Sequence, residues 1–184
     1  MKKILLTLLL ISASAVLTAQ EQINWMTMNE ALELQKKKKN KAKKIFMDAY
    51  TTWCGPCKSL DKNTFTNPDV IQFINQNFYP VKFNAEGTEE VTYRGKTYTN
   101  PKYNPNRSGR NSTHEFTLAL GVRAYPSLVY FTENGDLIQI ISGYRTPKQL
   151  EIFLRMMAND DYKTLTTQEA WETYQANFVG TFKE

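Results

Sequence analysis

The sequence predicts an α/β fold in which a mixed sheet of four or five strands is flanked by helices. Two apolar runs of strand length, 45–50 and 79–85, alternate with segments of helical period. Strand–helix–strand units of this length pair their strands in parallel, through right-handed crossovers. Two further runs, 127–131 and 137–141, are joined by 133–136, whose Asn-Gly pair favours a tight hairpin turn. Parallel and antiparallel pairs together make the sheet mixed.

The helices of this fold are predicted from their N-terminal caps. Thr27 and Glu30 form a capping box, which places the start of a helix at Met28. Asn67 and Thr146 are each followed by a proline, which suits the first turn of a helix. Shorter signals indicate a first strand at 23–26, a helix at 113–120 that ends at Gly121, and a last helix from Gln168 with the aromatic stripe Trp171, Tyr174 and Phe178. We expect this stripe to pack on its own domain, with contact to a partner as the alternative.

Two cysteines, Cys54 and Cys57, lie where the first long strand gives way to a helix, and the chain has no others. Unpaired N–H groups and the dipole at a helix N-terminus favour a thiolate over a thiol. We therefore expect Cys54 to be the nucleophile. Cys57, one helical turn further on and more buried, would attack the mixed disulfide that forms on Cys54. Gly55 and Pro56 shape the short turn between them, and the proline limits its flexibility.

A Cys-x-x-Cys pair has two possible interpretations other than redox chemistry, a zinc site and a structural disulfide. A structural zinc site needs four ligands, and the chain offers only these two cysteines and one histidine, His114. A purely structural disulfide fits poorly, because so short a loop removes little entropy from the unfolded chain. Redox chemistry is therefore the favoured interpretation.

The motif at 53–58, Trp-Cys-Gly-Pro-Cys-Lys, resembles the active site of the thioredoxin superfamily. Asp48 matches the buried aspartate of that family, and Lys82 matches the lysine that neighbours it on the next strand. Pro126 matches the cis-proline that faces the cysteines. The resemblance extends over about 24–158 and implies the thioredoxin fold. More narrowly, the chain resembles exported bacterial thioredoxin-like proteins related to the C-terminal domain of the electron-transfer protein DsbD, and secreted disulfide-isomerase-like proteins.

Roles for these residues follow from the resemblance. Burial would raise the pKa of Asp48, which suits an acceptor for the Cys57 proton, and pairing with Lys82 would moderate the rise. The alternative is that Asp48 only caps or hydrogen-bonds local backbone. The expected docking surface for a substrate comprises Trp53, Gly55, Pro56, Tyr125 and Pro126. The simplest alternative for Pro126 is an ordinary proline at the start of a strand.

Residues 1–19 are predicted to be a signal peptide, with Lys2 and Lys3 before an apolar stretch at 4–17 and a small residue, Ala19, at the cleavage point. A permanent membrane anchor is the minor alternative. Export to the periplasm or out of the cell is therefore expected. The rest divides into a thioredoxin-like domain at 20–158 and a C-terminal helical extension at 159–184.

An insertion at about 86–112 interrupts the domain after the strand that contains Lys82. It lacks an apolar period, and 91–98 is predicted to form a small hairpin around Gly95. Because the insertion leaves the carboxyl end of a parallel strand, we expect it on the active-site side of the sheet. Our hypothesis is that its tyrosines, Tyr93, Tyr98 and Tyr103, form a lip over the cysteines. A decorative or disordered loop is the alternative.

The lysine run at 36–44 and His114, both outside the cysteine motif, are expected to be solvent-exposed residues without a specific function. Residues 36–44 hold seven lysines, which are expected to be a solvated helix end; docking on an anionic surface is the alternative. A single basic run without interleaved aromatic residues is poor support for nucleic-acid binding, so no nucleic-acid partner is expected. His114 is expected to be a solvated first-turn residue, with a copper ligand as the less favoured alternative.

The functional prediction is an exported thiol–disulfide oxidoreductase that acts on protein thiols and disulfides without an organic cofactor. We expect a reductase, because Gly55-Pro56 resembles reducing thioredoxins and lacks the histidine that stabilises the thiolate of oxidases and isomerases. A membrane protein of the DsbD type would supply electrons, and cytochrome c maturation or rescue of misoxidised proteins would be the setting, by analogy only. The alternatives are a disulfide isomerase and a non-catalytic binding module. The sequence does not predict the oligomeric state.

Overall fold

A computed structural model describes residues 21–184; the predicted signal peptide at 1–19 lies outside them. The α-helices in this part of the chain are α1 (Met28–Lys38), α2 (Gly55–Asn63), α3 (Pro68–Asn77), α4 (Glu115–Leu120), α5 (Pro147–Ala158) and α6 (Gln168–Asn177). The strands are β1 (Lys44–Tyr50), β2 (Phe78–Asn84), β3 (Val91–Tyr93), β4 (Lys96–Tyr98), β5 (Ser127–Phe131) and β6 (Leu137–Ser142). Single turns of 3₁₀ helix occupy Lys39–Lys41 and Asp161–Lys163.

The central sheet is mixed, with four strands in the order β2-β1-β5-β6. β1 runs parallel to β2 and antiparallel to β5, and β6 is antiparallel to β5. The register places Asp48 on β1 opposite Lys82 on β2. The predicted α/β fold with a mixed sheet is confirmed.

The predicted first strand at 23–26 is wrong, so the sheet has four strands and not five. Met26 makes a single parallel bridge to Val81, and its N–H donates to the carbonyl of Pro80 at 3.0 Å. The next residue, Thr27, is already the N-cap of α1, so the chain turns away after one pairing. After α3 the chain enters β2 directly, at Phe78.

Alternation along β1 divides the core between the two faces of the sheet. Phe46 faces one side, where it packs with the apolar residues of α2, α3 and α5. Ile45 and Met47 face the other side, which α1, α4 and the β3–β4 hairpin cover. Because both faces are covered, β1 is buried over almost its whole length.

The insertion forms the predicted hairpin, but two of its tyrosines do not form a lip over the cysteines. Tyr93 is buried against Phe116 and Phe131, and its hydroxyl donates to the carbonyl of Gly135 at 2.9 Å. Gly135 lies in the β5–β6 turn, at the end of the sheet opposite the cysteines, because β5 runs antiparallel to β1. Tyr98 packs on Phe116. The hairpin therefore packs against the same face of the sheet as α4 and completes the core there.

The lysine run divides into an exposed part and a buried one. Lys36, Lys37 and Lys38 end α1 in the exposed manner that the sequence predicts, and Lys36 pairs with Glu33. Lys44, however, is only 4% exposed and binds two carboxylates, those of Glu133 and Asp160, at 2.8 and 2.9 Å. The end of the run therefore anchors β1 and is not a solvated surface.

The C-terminal residues fold back onto the domain. Phe153 of α5 stacks on Trp171 of α6, with ring centroids 5.6 Å apart, so the aromatic stripe of α6 packs on its own chain as predicted. Beyond α6, the backbone N–H groups of Thr181 and Phe182 donate to the buried carboxylate of Glu151 at 2.7 to 2.9 Å. The extension is thus held by the same core as the rest of the chain.

Within residues 21–184, no helix combines the length and apolar composition that crossing a bilayer requires.

Candidate active site

The two cysteines lie at the N-terminus of α2, where β1 delivers the chain. Cys54 is the N-cap residue, and its Sγ accepts the backbone N–H of Cys57 at 3.1 Å. A disulfide bond joins the two sulfurs. The sequence predicts that Cys57 is the more buried of the two, but both residues are buried, at 2% and 1% exposure. In the disulfide form, Cys54 is therefore no more accessible than its partner.

The two residues between the cysteines lie at the surface. Pro56 is in the first turn of α2, where the missing N–H leaves no hydrogen bond unmade. Gly55 is exposed, and a Cβ built on it would meet no atom within 4 Å. Glycine is therefore not required by packing here, and its absent side chain leaves the surface beside Cys54 uncovered.

Behind this turn, Asp48 is fully buried and pairs with Lys82, whose Nζ lies 2.6 Å from Oδ2. The other carboxylate oxygen, Oδ1, has no hydrogen-bond partner among the described atoms. Burial raises the pKa of Asp48 to about 6, although the charge and hydrogen bond of Lys82 act to lower it. The carboxylate is thus ionised at neutral pH and can take up a proton at mildly acidic pH.

Lys82 also contacts a second carboxylate, that of Asp61 on α2, which sequence reasoning missed. Burial alone would lower the pKa of Lys82, but the two aspartates more than offset this and raise it. Asp61 follows Cys57 by four residues, the spacing that places two side chains on one helix face. This spacing could have indicated Asp61 from the sequence, because it places a charged side chain on the same face of α2 as Cys57.

Three aromatic rings surround the Lys82 ammonium. Its Nζ lies 5.2 Å from the ring centroid of Trp25, 4.8 Å from that of Tyr50 and 5.3 Å from that of Phe65. Ring faces attract a cation, and their bulk restricts water around it. The ion pair with Asp48 therefore lies in an environment of low polarity.

The loop that carries Tyr125 and Pro126 meets the cysteine motif at Trp53. The Tyr125–Pro126 peptide bond is cis, in agreement with the resemblance. Trp53, the residue before Cys54, meets Tyr125 edge to face, with centroids 6.2 Å apart. The indole N–H of Trp53 donates to the Glu86 carboxylate at 2.8 Å. The strand end, the cis-proline loop and the start of the insertion thus meet at one surface.

The insertion reaches this surface through residues that the sequence did not single out. The Arg110 guanidinium lies over the ring of Trp53, with its Cζ 4.3 Å from the centroid. The N–H of Asn111 donates to the same Glu86 oxygen that binds the indole, at 2.7 Å. Insertion residues therefore do lie beside the cysteine motif, as expected, but the contact is made by Arg110 and not by Tyr93 or Tyr98.

His114 is buried, so the prediction of a solvated residue is wrong. Its Nδ1 accepts the N–H of Phe116 at 3.0 Å, and its Nε2 contacts the carbonyl of Glu89 at 2.7 Å. The ring stacks edge-on against Phe83, and burial lowers its pKa. Because both ring nitrogens serve the backbone, neither is free for copper. Across residues 21–184, no group of three His, Cys, Asp or Glu side chains is arranged to hold a metal ion.

Comparisons with known proteins agree with this geometry. Residues 28–158 match the thioredoxin-like domain family. The thiol:disulfide interchange protein DsbD of Haemophilus ducreyi is 41% identical over 143 residues, which make up 76% of this chain and 20% of that protein. DsbD of Tatumella citrea is 29% identical over 146 residues, 77% of this chain and 22% of that protein. The chain therefore spans about a fifth of the length of these relatives.

Among solved structures, a candidate disulphide isomerase from Bacteroides thetaiotaomicron is 25% identical, with a TM-score of 0.50. The match covers 75% of this chain and 94% of that one. The family match extends over most of the chain and includes the Cys54–Cys57 pair, the buried Asp48 and the cis-proline loop. The chain belongs to the thioredoxin-like family.

Proposed function

We propose that the chain is an exported reductase of protein disulfides. The observation that carries the proposal is the Cys54–Cys57 pair at the N-terminus of α2, with only Gly55 and Pro56 between the sulfurs. Neither residue between the cysteines is a histidine, which would stabilise the Cys54 thiolate further. The remaining stabilisation comes from the helix N-terminus and from the N–H of Cys57.

In the first step of the proposed reaction, the Cys54 thiolate attacks a disulfide of the partner protein. A bond forms between Cys54 Sγ and one partner sulfur as the partner's S–S bond breaks, and the other partner sulfur leaves as a thiolate that takes up a proton. The product is a mixed disulfide between the two proteins. Cys57 remains a thiol at this stage.

In the second step, Cys57 loses its proton and attacks Cys54 Sγ, which releases the partner's second sulfur. Two electrons have then passed to the partner, and the protein carries the Cys54–Cys57 disulfide seen in the structure. Asp48 is the proposed acceptor of the Cys57 proton. A carboxyl with a pKa of about 6 is ionised at neutral pH yet basic enough to accept a proton from a thiol that is attacking.

Lys82 and the docking surface complete the proposal. Lys82 keeps Asp48 ionised until the proton arrives, because its ammonium lies 2.6 Å from the carboxylate. Trp53, Tyr125 and Pro126 would receive the partner as an extended strand, with backbone groups beside Pro126 as hydrogen-bond partners. Electrons would return from a membrane protein of the DsbD type.

Insulin reduction tests the activity. The protein without residues 1–19 should catalyse precipitation of the insulin B chain in the presence of dithiothreitol, and Cys54→Ser should abolish the catalysis. Cys57→Ser should instead accumulate the mixed disulfide, visible as a band that reductant removes. A protein that leaves insulin intact would be a binding module and not an oxidoreductase of this kind.

A disulfide isomerase is the second candidate, favoured by the similarity to the candidate isomerase from Bacteroides thetaiotaomicron. Refolding of scrambled ribonuclease separates the two. A reductase should restore little ribonuclease activity, whereas an isomerase should restore most of it. Export is tested separately: cell fractionation with mass measurement should find the chain outside the cytoplasm, beginning at Gln20.

A further inference from the structure

We propose that Arg110 makes the surface beside the disulfide selective for partners with acidic side chains next to their cysteines. The inference rests on the proposed function, since it concerns which partner disulfides reach Cys54. The charge of the partner segment that docks is thereby specified, whereas the cysteine motif alone does not predict it.

Hydrogen bonds within the insertion hold the loop that carries Arg110 in place. Asn111 and Asn104 exchange two hydrogen bonds, from Asn104 N–H to the Asn111 side chain at 2.9 Å and from the Asn111 amide to the Asn104 carbonyl at 2.8 Å. Asn100, which is 8% exposed, binds the carbonyls of Gly87 and Ser112. These asparagines close the loop at both ends, so the guanidinium is directed at the active-site motif.

The charge of Arg110 is available to a partner. Its side chain is exposed, and it takes part in no ion pair within the described residues. The Glu86 carboxylate on this surface is buried, and its Oε2 already accepts two N–H groups, from Trp53 and Asn111. A cation stacked on an indole keeps its outward N–H groups free, and a guanidinium matches a carboxylate with two parallel hydrogen bonds.

Two further exposed cations flank the cysteine motif and the cis-proline loop in the sequence. Lys58 directly follows Cys57, and Arg123 lies three residues before Pro126; both are exposed. The acids of the site are less accessible to a partner, because Asp48 and Glu86 are buried and Asp61 contacts the Lys82 ammonium. Within the insertion, Arg94 instead pairs with Asp136 and Lys96 lies in the hairpin, so neither adds to this surface. A partner segment with acidic residues complements this surface, and a basic one is repelled.

The test uses reduced protein and three synthetic peptides that share one intramolecular disulfide. The two residues next to the first cysteine are both Glu, both Asn or both Lys, and the rate of peptide reduction is followed by chromatography. At low ionic strength, the Glu peptide should react at least about threefold faster than the Asn peptide, and the Lys peptide more slowly than either. High salt should bring the three rates together.

Variants assign the preference to Arg110. Arg110→Gln should bring the ratio of the Glu-peptide rate to the Asn-peptide rate close to one, and Arg110→Glu should favour the Lys peptide. Lys96→Gln is the matched control, because it removes a charge from the same insertion at the hairpin turn away from the disulfide, and it should behave like the parent protein. Equal rates with all three peptides, or a preference that survives Arg110→Gln, would overturn the inference while leaving the proposed function intact. Failure to reduce any peptide would overturn both.

Discussion

The proposed proton acceptor of this site is a buried carboxylate with a raised pKa, that of Asp48. Asp48 is buried on β1, its Oδ1 has no hydrogen-bond partner within residues 21–184, and it shares the Lys82 ammonium with Asp61. Burial disfavours its charge more than Lys82 favours it, and its pKa rises to about 6 from 3.8. The folded protein therefore binds a proton at this position more tightly than the unfolded chain does.

This difference predicts how Asp48→Asn changes stability with pH. Between pH 4 and pH 6 the folded state holds the proton that the unfolded state has lost, so Asp48 lowers stability progressively as the pH rises through that range. By pH 7 the loss should reach about 2 to 3 kcal/mol. Asp48→Asn removes the titration, so the variant should gain stability relative to the parent protein as the pH rises from 4 to 7.

Denaturant unfolding of both proteins at each pH provides the measurement. Taking the difference between them cancels His114, whose lowered pKa acts in the opposite direction and favours folding as the pH rises. A constant difference from pH 4 to pH 7 would contradict a raised pKa at Asp48. In turnover, Asp48→Asn should slow reduction of insulin at neutral pH by about tenfold or more, since it removes the proposed proton acceptor.

At the scale of elements, the insertion is part of the core on one side and part of the active-site surface on the other. Its hairpin places Tyr93 against Phe116 and Phe131, and its second half places Arg110 over Trp53. The two parts should therefore respond differently to mutation. Changes in the hairpin should affect stability, whereas changes near Arg110 should affect the choice of partner.

Tyr93→Ala tests the first half of this statement. It removes a buried ring and its hydrogen bond to Gly135, and should lower the free energy of unfolding by about 3 kcal/mol. Tyr103→Ala, in the same insertion, is the control; Tyr103 is exposed, so its loss should change stability by less than about 0.5 kcal/mol. Equal effects of the two substitutions in thermal or denaturant unfolding would argue against the core role of the hairpin.

Local signals in the sequence predict the elements well, because their causes are local. The capping box at Thr27 and the proline after Asn67 start α1 and α3 as expected, and the Asn134-Gly135 pair joins β5 to β6. The burial of His114 could not be predicted in this way, because it arises from contacts with Phe83 and the Glu89 carbonyl, which are distant along the chain.

Some residues of the candidate site could be predicted from the sequence, and others could not. The motif and its family resemblance indicated Cys54, Cys57, Asp48 and Lys82, and the structure brings the last two into contact. Arg110 carries no such pattern, because a loop without a period gives no sign of which side chain turns towards the site. Only the fold of the insertion places it over Trp53.

At the scale of the whole molecule, the C-terminal tail fastens two helices that flank the sheet. Thr181 and Phe182 donate their N–H groups to Glu151 on α5, while the Lys183 backbone binds Asn67 and Asp69 at the start of α3. Burial alone would raise the pKa of Glu151, but these N–H groups, with Arg155, more than offset it and lower that pKa. The tail therefore compensates a charge inside the domain.

Removal of 180–184 should leave the Glu151 carboxylate without its backbone donors. We expect this truncation to lower the free energy of unfolding at pH 7 by about 2 to 4 kcal/mol. Val179→Ala, at a position that is 84% exposed just before the tail, should leave stability unchanged. A truncated protein as stable as the parent would show that the tail only rests on the surface.

The direction of electron flow is the central claim for the molecule, and the reduction potential of the Cys54–Cys57 pair tests it most directly. The protein without residues 1–19 would be equilibrated with mixtures of reduced and oxidised dithiothreitol, and the fraction of free thiol measured by alkylation and mass spectrometry. We expect a potential below about −220 mV, in the range of reducing thioredoxins. A potential above about −180 mV would place the pair among oxidants and isomerases and contradict the proposed reductase.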